Sequence, residues 1–258
     1  MIAILDYGMG NLHSVQKAIE RVGGQAIVTT EAEALEEARG IILPGVGAFG
    51  DAMEALQARR LAAPLQRQIE AGKPLLGICL GMQLLFEESE EMGRHRGLGV
   101  FGGRVVRFPS SLPETESLRT AALPSAGSGR RLPAGPAGAA TPGRPYVDPT
   151  RPAGGEAPLR VPHVGWNRIL SCRDTLLLEG IGRGSYAYFV HSYYVLPNDE
   201  GLVLATTDYG APFASVVGRG NLFGVQFHPE KSQQVGLRIL QNFFEITGGG
   251  RDDCPASN

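Results

Sequence analysis

The stretch "PLLGICLGMQLLF" (Pro74–Phe86) joins an apolar run to a helical pattern through one cysteine placed between two glycines. The segment "KPLLGI" (73–78) is typical of a buried strand, and the helical pattern begins at Leu80. A G-x-C-x-G sequence at such a junction has the form of a nucleophile elbow, a tight turn that strains its central residue and lifts the side chain clear of the sheet. The glycines leave room for the elements that pack around the turn. The stretch therefore predicts a strand-turn-helix unit with Cys79 as a candidate nucleophile, and an inert core cysteine is the alternative.

Strands and helices alternate through the first hundred residues. Strands are predicted at 2–7, 24–28 and 40–45, and helices from Asn11, a candidate cap, to Val22, from Ala48 to Arg59 and near 61–71. Alternation of this kind is typical of parallel strands joined by crossover helices, with ligands at the carboxyl ends of the strands. We expect an α/β fold of the flavodoxin-like type, with a central, mostly parallel sheet flanked by helices.

The second half has a different pattern. Short aromatic and β-branched runs, "GRVVRF", "GWNRIL", "AYFVHSYYV", "LVLATTDY", "FASVVG" and "LFGVQFH", are separated by turn residues and predict antiparallel additions to the sheet. The amphipathic stretch "QQVGLRILQNFFEIT" predicts a closing helix. We therefore expect one domain over 1–247 and a flexible polar tail over 248–258.

A proline- and glycine-rich segment interrupts this domain. Eleven of the 18 prolines fall between Pro109 and Pro162. With few apolar residues to form a core, the segment at about 110–158 is expected to be a disordered insertion at a surface turn, and a docking segment for a partner is the alternative.

Composition excludes several classes of function. The net charge is −2 over 258 residues, which gives no electrostatic reason to expect nucleic acid or anionic lipid as a partner. No apolar run approaches membrane-spanning length. The three cysteines, Cys79, Cys172 and Cys254, lack zinc-site spacing, so we expect no metal, no cofactor and no disulfide framework, and a reducing cytoplasm as the compartment.

A nucleophilic cysteine needs a base, and "GVQFHPEKS" (224–232) supplies a candidate in His228. It ends an apolar strand, and Glu230 follows two residues later, a spacing that keeps both side chains on one face. Glu230 would then fix the tautomer of the imidazole as the third member of a triad. The alternative is a strand-end histidine beside a solvent-facing glutamate.

Backbone N–H groups near the cysteine predict an oxyanion hole. The start of the helix after Cys79 favours a thiolate, and the N–H of Leu80 points to where an oxyanion would form. "LPGVGAFG" (43–50) places further N–H groups at a strand-to-helix junction. Because the Lys-Ser/Thr ending of a phosphate loop is missing, an oxyanion or substrate-backbone role is favoured for Val46 and Gly47.

Together "PGVGAFG", "GICLGMQLLF" and "FHPEKS", in this order, resemble the class I glutamine amidotransferases. "DYGMGNLHSV", "VPHVGWN", "YFVHSYY" and "TTDYG" are similar to one branch of that family, the glutaminase subunits of imidazole glycerol phosphate synthase. The resemblance covers nearly the whole chain except the insertion and the tail. It implies glutamine hydrolysis by Cys79, His228 and Glu230, and transfer of the ammonia to a separate cyclase subunit that makes imidazole glycerol phosphate and aminoimidazole carboxamide ribotide in histidine biosynthesis.

The resemblance also implies roles for further residues. Glutamine contacts fall on Gly47, Gln83, Glu91, Ser192 and Tyr193; for Gln83 and Glu91 the alternative is solvated helix surface. Partner-interface or tunnel positions fall on Asn11, His163, Trp166, Asn167, Tyr188 and Lys231. For Trp166 a place in the core is an equal alternative.

Three other functions stay open at this point. A glutaminase serving another synthase, such as the one that makes pyridoxal phosphate, would share the triad but differ in the "VPHVGWN" loop. A non-catalytic regulator on the same fold would not need Cys79, His228 and Glu230. A cysteine peptidase on a related fold would cleave peptides and ignore free glutamine.

Overall fold

A computed structural model describes residues 1–109 and 159–249. The expected insertion at about 110–158 lies outside the described residues, as does the expected tail from residue 250 onward. Gly248 and Gly249, which the sequence assigns to that tail, close the last helix, because their N–H groups donate to the carbonyls of Glu245 and Phe244.

A nine-stranded sheet forms the centre of the fold. Its strands are β1 (Ile2–Leu5), β2 (Ala26–Thr29), β3 (Gly40–Leu43), β4 (Leu75–Ile78), β8 (His163–Ser171), β9 (Ser185–His191), β11 (Val203–Asp208), β12 (Pro212–Arg219) and β13 (Leu222–Val225). They lie in the order β2-β1-β3-β4-β13-β12-β11-β8-β9. The first five strands in this order are parallel and the remaining ones join antiparallel. The predicted parallel sheet with later antiparallel additions is confirmed.

In the part of the chain that the structure describes, six helices flank this sheet: α1 (Leu12–Arg21), α2 (Ala32–Glu37), α3 (Phe49–Ala58), α4 (Ala62–Glu70), α5 (Leu80–Leu84) and α6 (Gln233–Ile246). Alternate residues of β1 enter different cores, Ile2 and Ile4 on the side of α1 and α6, and Ala3 and Leu5 on the side of α3 and α4. Burial on both faces explains why the parallel strands read as continuous apolar runs. No helix in residues 1–109 and 159–249 is long and apolar enough to cross a membrane.

A second sheet of four strands has the order β10-β7-β5-β6, with β5 (Phe86–Ser89), β6 (His95–Arg96), β7 (Phe101–Arg107) and β10 (Tyr193–Pro197). Two of its features differ from the predictions. The helix after Cys79 ends at Leu84, and Phe86 begins a strand. The run "AYFVHSYYV" is two strands rather than one, because the chain leaves the large sheet after His191 and pairs with β7 from Tyr193.

Candidate active site

The elbow at Cys79 is strained and tightly packed. Cys79 follows β4 directly and has φ 53° and ψ −108°, a backbone conformation that side-chain-bearing residues rarely adopt. A Cβ atom built on Gly81 would lie 1.8 Å from the carbonyl oxygen of Leu43, and one on Gly77 would lie 2.7 Å from the oxygen of Gly81. Close packing of α5 on β3 and β4 therefore requires both glycines.

His228 and Glu230 lie together just beyond β13, the strand next to β4. Nδ1 of His228 is 2.9 Å from Oε1 of Glu230, and both side chains are almost completely buried. The backbone is fixed as well, since Oγ of Ser232 donates to the carbonyl of His228 at 2.6 Å and accepts from the N–H of Tyr188 at 2.9 Å. The solvent-facing glutamate considered as an alternative is therefore wrong.

The charge on His228 is coupled to the sulfur. Burial by itself lowers the pKa of His228, but attraction to Cys79 and the hydrogen bond to Glu230 outweigh it and raise the pKa to about 10. Nε2 of His228 has no hydrogen-bond partner among the described residues. An imidazolium whose Nε2–H is available to a neighbouring cysteine can hold a thiolate and later give up a proton.

The sulfur of Cys79 has two polar neighbours that sequence reasoning missed. Nε2 of Gln226 lies 3.7 Å from it and the carbonyl oxygen of Val190 lies 3.9 Å from it. Gln226 precedes His228 by two residues in the same extended run, so the period-two spacing that identified Glu230 was a signal for Gln226 too. Val190 left no comparable signal, because its contribution is a backbone carbonyl.

The expected oxyanion and substrate residues Val46, Gly47 and Glu91 lie on the loop between β3 and α3 or beside the start of α3. Gly47 has φ 103°, which favours glycine, and Val46 beside it is 42% exposed. Oε2 of Glu91 accepts the N–H of Phe49 at 2.7 Å, which ties Glu91 to the start of α3. Glu91 also lines an open cleft of about 510 Å³ beside α3, but Cys79 is not among the residues that line this cleft. Leu80, the other expected oxyanion donor, follows Cys79 directly and begins α5.

Gln83 is buried, so the solvated helix surface considered for it is wrong. Its Nε2 donates to the carbonyl of Tyr193 at 3.0 Å and to Oε1 of Gln226 at 3.1 Å. The carbonyl of Ser192 accepts the N–H of Phe108 at 3.0 Å. The turn from β9 to β10 thus passes next to α5 and holds the backbone of Ser192 and Tyr193 near the sulfur.

Two buried histidines continue this polar network. Nδ1 of His191 lies 2.8 Å from the carbonyl oxygen of Tyr193. The other ring nitrogen of His191, Nε2, lies 3.0 Å from Nδ1 of His163. Nε2 of His163 in turn lies 3.2 Å from the side-chain amide nitrogen of Asn167. Burial lowers the pKa of His163 to about 4 and that of His191 to about 3, so both rings are neutral at pH 7. Because a carbonyl can only accept, His191 carries its proton on Nδ1, and His163 therefore donates from Nδ1 to Nε2 of His191.

The expected partner residues divide into two groups. Trp166 is 44% exposed, which excludes its place in the core, and its ring meets that of Tyr188 edge-on at 6.0 Å. The ammonium of Lys231 lies 6.0 Å from the Tyr188 ring.

His163, in contrast, is buried and stacks on Tyr209. Asn11 precedes α1 without a side-chain capping bond, and Asn167 donates to the carbonyl of Asp208 at 2.8 Å.

Comparison with known proteins agrees with this geometry. Residues 3–247 match the family model "Glutamine amidotransferase class-I". A crystal structure of a glutamine amidotransferase has a TM-score of 0.61 at 19% identity, covering 96% of this chain and 98% of its own, and PurLQS from Thermotoga maritima has a TM-score of 0.59 at 18% identity, covering 95% and 96%. The chain belongs to the class I glutamine amidotransferase family.

Relatives with higher sequence identity indicate the branch of this family to which the chain belongs. The protein named imidazole glycerol phosphate synthase subunit HisH from Geobacillus kaustophilus is 48% identical over 96% of this chain and 98% of its own length. The HisH subunit of Syntrophotalea carbinolica is 46% identical over 95% of this chain and its full length. Within the class, the chain is a member of the HisH family.

Proposed function

We propose that this chain is the glutaminase subunit of imidazole glycerol phosphate synthase in histidine biosynthesis. The observation that carries the proposal is a strained Cys79 beside a buried His228–Glu230 pair in a chain of the HisH family. In this proposal the chain hydrolyses glutamine to glutamate and ammonia, and a second subunit consumes the ammonia.

The reaction begins with the Cys79 thiolate and the His228 imidazolium. The sulfur attacks the side-chain amide carbon of glutamine, and the negative charge that develops on the oxygen is stabilised by the N–H groups of Leu80 and Val46. As the C–N bond breaks, His228 donates its proton to the departing nitrogen and ammonia leaves. His228 then takes a proton from water, the resulting hydroxide attacks the thioester, and the C–S bond breaks to release glutamate and regenerate the thiolate.

Glu230 keeps the imidazole oriented through both proton transfers. Its Oε1 accepts from Nδ1, which leaves Nε2 as the atom that exchanges protons with substrate and water. Since the pair is shielded from water, the hydrogen bond is not weakened by competition with solvent.

Glutamine binding uses the groups around the elbow. The anionic Glu91, which is hydrogen-bonded to the start of α3, suits the substrate ammonium, and Gly47 permits close approach of the substrate to the 45–49 loop. Gln83 and the backbone of Ser192 and Tyr193 border the other side of the sulfur. A site built in this way favours a short, charged amino acid over a peptide, which distinguishes the proposal from a cysteine peptidase.

The partner in this proposal is a cyclase subunit, bound as a heterodimer. Ammonia released to water at neutral pH would be protonated and lost as a nucleophile, so a direct protein passage preserves it. The hairpin β8–β9 offers a surface for docking: Val164 pairs with Val190 and Trp166 with Tyr188 on one exposed face, with Lys231 beside it. This face adjoins the active centre, since the Val190 carbonyl contacts the Cys79 sulfur.

A cytoplasmic location belongs to the same proposal, because a catalytic thiol must stay reduced. A glutaminase of another synthase would share the triad, and binding to the cyclase subunit discriminates between the two.

The test is glutamate release from glutamine by the purified chain, alone and with the cyclase subunit and its nucleotide ligand. We expect stimulation by the liganded cyclase that disappears in Cys79→Ser. Equal activity with and without the cyclase would keep the triad but assign it to a different partner. No activity in either condition would reject the glutaminase.

A further inference from the structure

Gln226 is a buried amide between two groups of the active centre. Its side chain is fully shielded from solvent, with Nε2 at 3.7 Å from the sulfur of Cys79 and Oε1 at 3.1 Å from Nε2 of Gln83. Its backbone N–H donates to the carbonyl of Ser215 at 2.9 Å. The residue is therefore fixed at both its backbone and its side chain.

The hydrogen-bond network determines which end of the Gln226 amide faces the sulfur. The carbonyl oxygen of Tyr193 can only accept, so the atom of Gln83 that contacts it at 3.0 Å is the nitrogen. That same nitrogen faces Gln226 and requires an acceptor there, which is Oε1. The N–H of Gln226 consequently points at Cys79.

Besides His228, two polar neighbours of the sulfur favour opposite protonation states of Cys79. The carbonyl of Val190 at 3.9 Å accepts from a thiol S–H and repels a thiolate. The N–H of Gln226 donates to a thiolate and gains nothing from a thiol proton. The Gln226 N–H therefore favours the Cys79 thiolate, whereas the Val190 carbonyl favours the Cys79 thiol.

We propose that Gln226 is a positioning residue for the nucleophile: its side-chain N–H, aimed by Gln83, donates to the Cys79 thiolate and holds the sulfur in its ionised form. This inference rests on the proposed function and deepens it. Gln226 transfers no proton, since the proton that leaves Cys79 goes to His228, and the amide keeps both of its own hydrogens.

Other titratable groups also face the sulfur, and they must stay unchanged in a test. His228 with Glu230 lies beyond β13, and Tyr7, whose phenol donates to the carbonyl of Pro44, lies beyond β1. His191 in β9 is a neutral neighbour of His228. Replacing Gln226 by Met leaves all of these in place and removes the donor at similar side-chain length.

The experiment is alkylation of Cys79 by iodoacetamide as a function of pH, in a Cys172→Ser, Cys254→Ser background that leaves one thiol. Loss of a hydrogen bond to a charged sulfur should shift the midpoint of the rate upward by about one pH unit in Gln226→Met. Gln226→Glu should shift it further, because a carboxylate repels the thiolate. The matched control is Ser215→Ala, which changes a buried polar residue of the adjoining strand whose hydroxyl has no hydrogen-bond partner among the described residues.

A Gln226→Met midpoint that coincides with that of the Ser215→Ala control would overturn the inference. If Gln226→Met does not fold, the side-chain amide resonances of [15N]glutamine-labelled chain serve instead. One glutamine amide should titrate together with Cys79 and lose that titration in Cys79→Ala, and a set of pH-independent amides would reject the contact. Alkylation uses no glutamine, so a shifted midpoint in a chain that releases no glutamate would reject the glutaminase and retain the role of Gln226.

Discussion

Nδ1 of His228 lies 2.9 Å from Oε1 of Glu230, and the two side chains are 3% and 1% exposed. A carboxylate buried to this extent is stable because the imidazolium neutralises it, and the imidazolium is stable for the same reason. The pair therefore acts as one unit beside the sulfur of Cys79.

Replacing Glu230 by Gln should separate the shape of this unit from its charge. The amide can occupy the same space, but it removes one of the two negative groups that face the imidazole, so burial should bring the pKa of His228 down from about 10. We expect kcat to fall by roughly 10²–10⁴-fold with a smaller change in KM. The measurements are steady-state glutamate release and an NMR titration of His228; an unchanged titration would contradict the ion-pair account.

Replacing Cys79 by Gly should relieve backbone strain. With φ 53° and ψ −108°, Cys79 occupies a conformation that glycine adopts without a Cβ clash. Although glycine adds entropy to the unfolded chain, we expect Cys79→Gly to exceed Cys79→Ala in free energy of unfolding by about 1 kcal/mol. Urea unfolding of both inactive variants measures this difference, and equal midpoints would show that the elbow is not strained.

Replacing Gly81 by Ala should disrupt the elbow without touching a catalytic side chain. The new methyl group would start 1.8 Å from the backbone oxygen of Leu43, so α5 must move away from β3. We expect a loss of about 2–4 kcal/mol in stability and a large loss of glutaminase activity. Gly102→Ala is the matched control, since its Cβ would meet nothing closer than 3.6 Å. Similar stabilities for the two variants would contradict the packing account.

Local motifs were sufficient to predict the elbow and the pairing of His228 with Glu230. Each depends on a few neighbouring residues, and the geometry of a strand or a tight turn determines where their side chains lie. The parallel half of the sheet was predictable for a related reason, since its strands are continuous apolar runs between helical patterns.

Long-range packing accounts for what the sequence did not predict. Gln83 and Glu91 read as solvated helix surface in the alternative, yet Gln83 is buried by Tyr193 and Gln226, more than a hundred residues away. The break at Ser192 lacks a glycine or proline and arises because Tyr193 pairs with Arg107 in another sheet. The burial of His163 follows from the ring of Tyr209, which no local pattern connects to it.

The histidine pair His163–His191 should make the fold sensitive to acid. In the folded chain the pKa is about 4 for His163 and about 3 for His191, below the ordinary value of 6.5. Between pH 6.5 and these lower values the unfolded chain therefore binds more protons than the folded chain. The contribution of these shifts to the free energy of unfolding is complete above pH 6.5. It should be lost as the pH falls toward 4 and then 3, by about 3 kcal/mol for His163 and about 5 kcal/mol for His191.

His191→Phe tests this pH dependence, because the ring packing is kept and one titrating group is removed. The variant should be less stable at pH 7, but its free energy of unfolding should fall less steeply between pH 6.5 and 4. Replacing the exposed His13 by Gln controls for the loss of a histidine. Parallel curves for wild type and His191→Phe would contradict the expectation.

Trp166 should anchor the cyclase subunit on the β8–β9 hairpin. The indole is 44% exposed, braced edge-on by Tyr188 and flanked by the exposed Val164, which together make an apolar patch that a partner can cover. Truncation of such an aromatic anchor costs about 2 kcal/mol or more, so Trp166→Ala should weaken binding of the cyclase by roughly 30-fold or more. Val28→Ala is the control, because Val28 is similarly exposed but lies on β2, at the opposite edge of the sheet. Calorimetric titration measures both affinities.

The isolated Trp166→Ala chain should retain its intrinsic glutaminase activity. The cyclase concentration that gives half-maximal stimulation should rise in proportion to the dissociation constant. Equal affinities of Trp166→Ala and Val28→Ala for the cyclase would show that the docking surface does not lie on this hairpin.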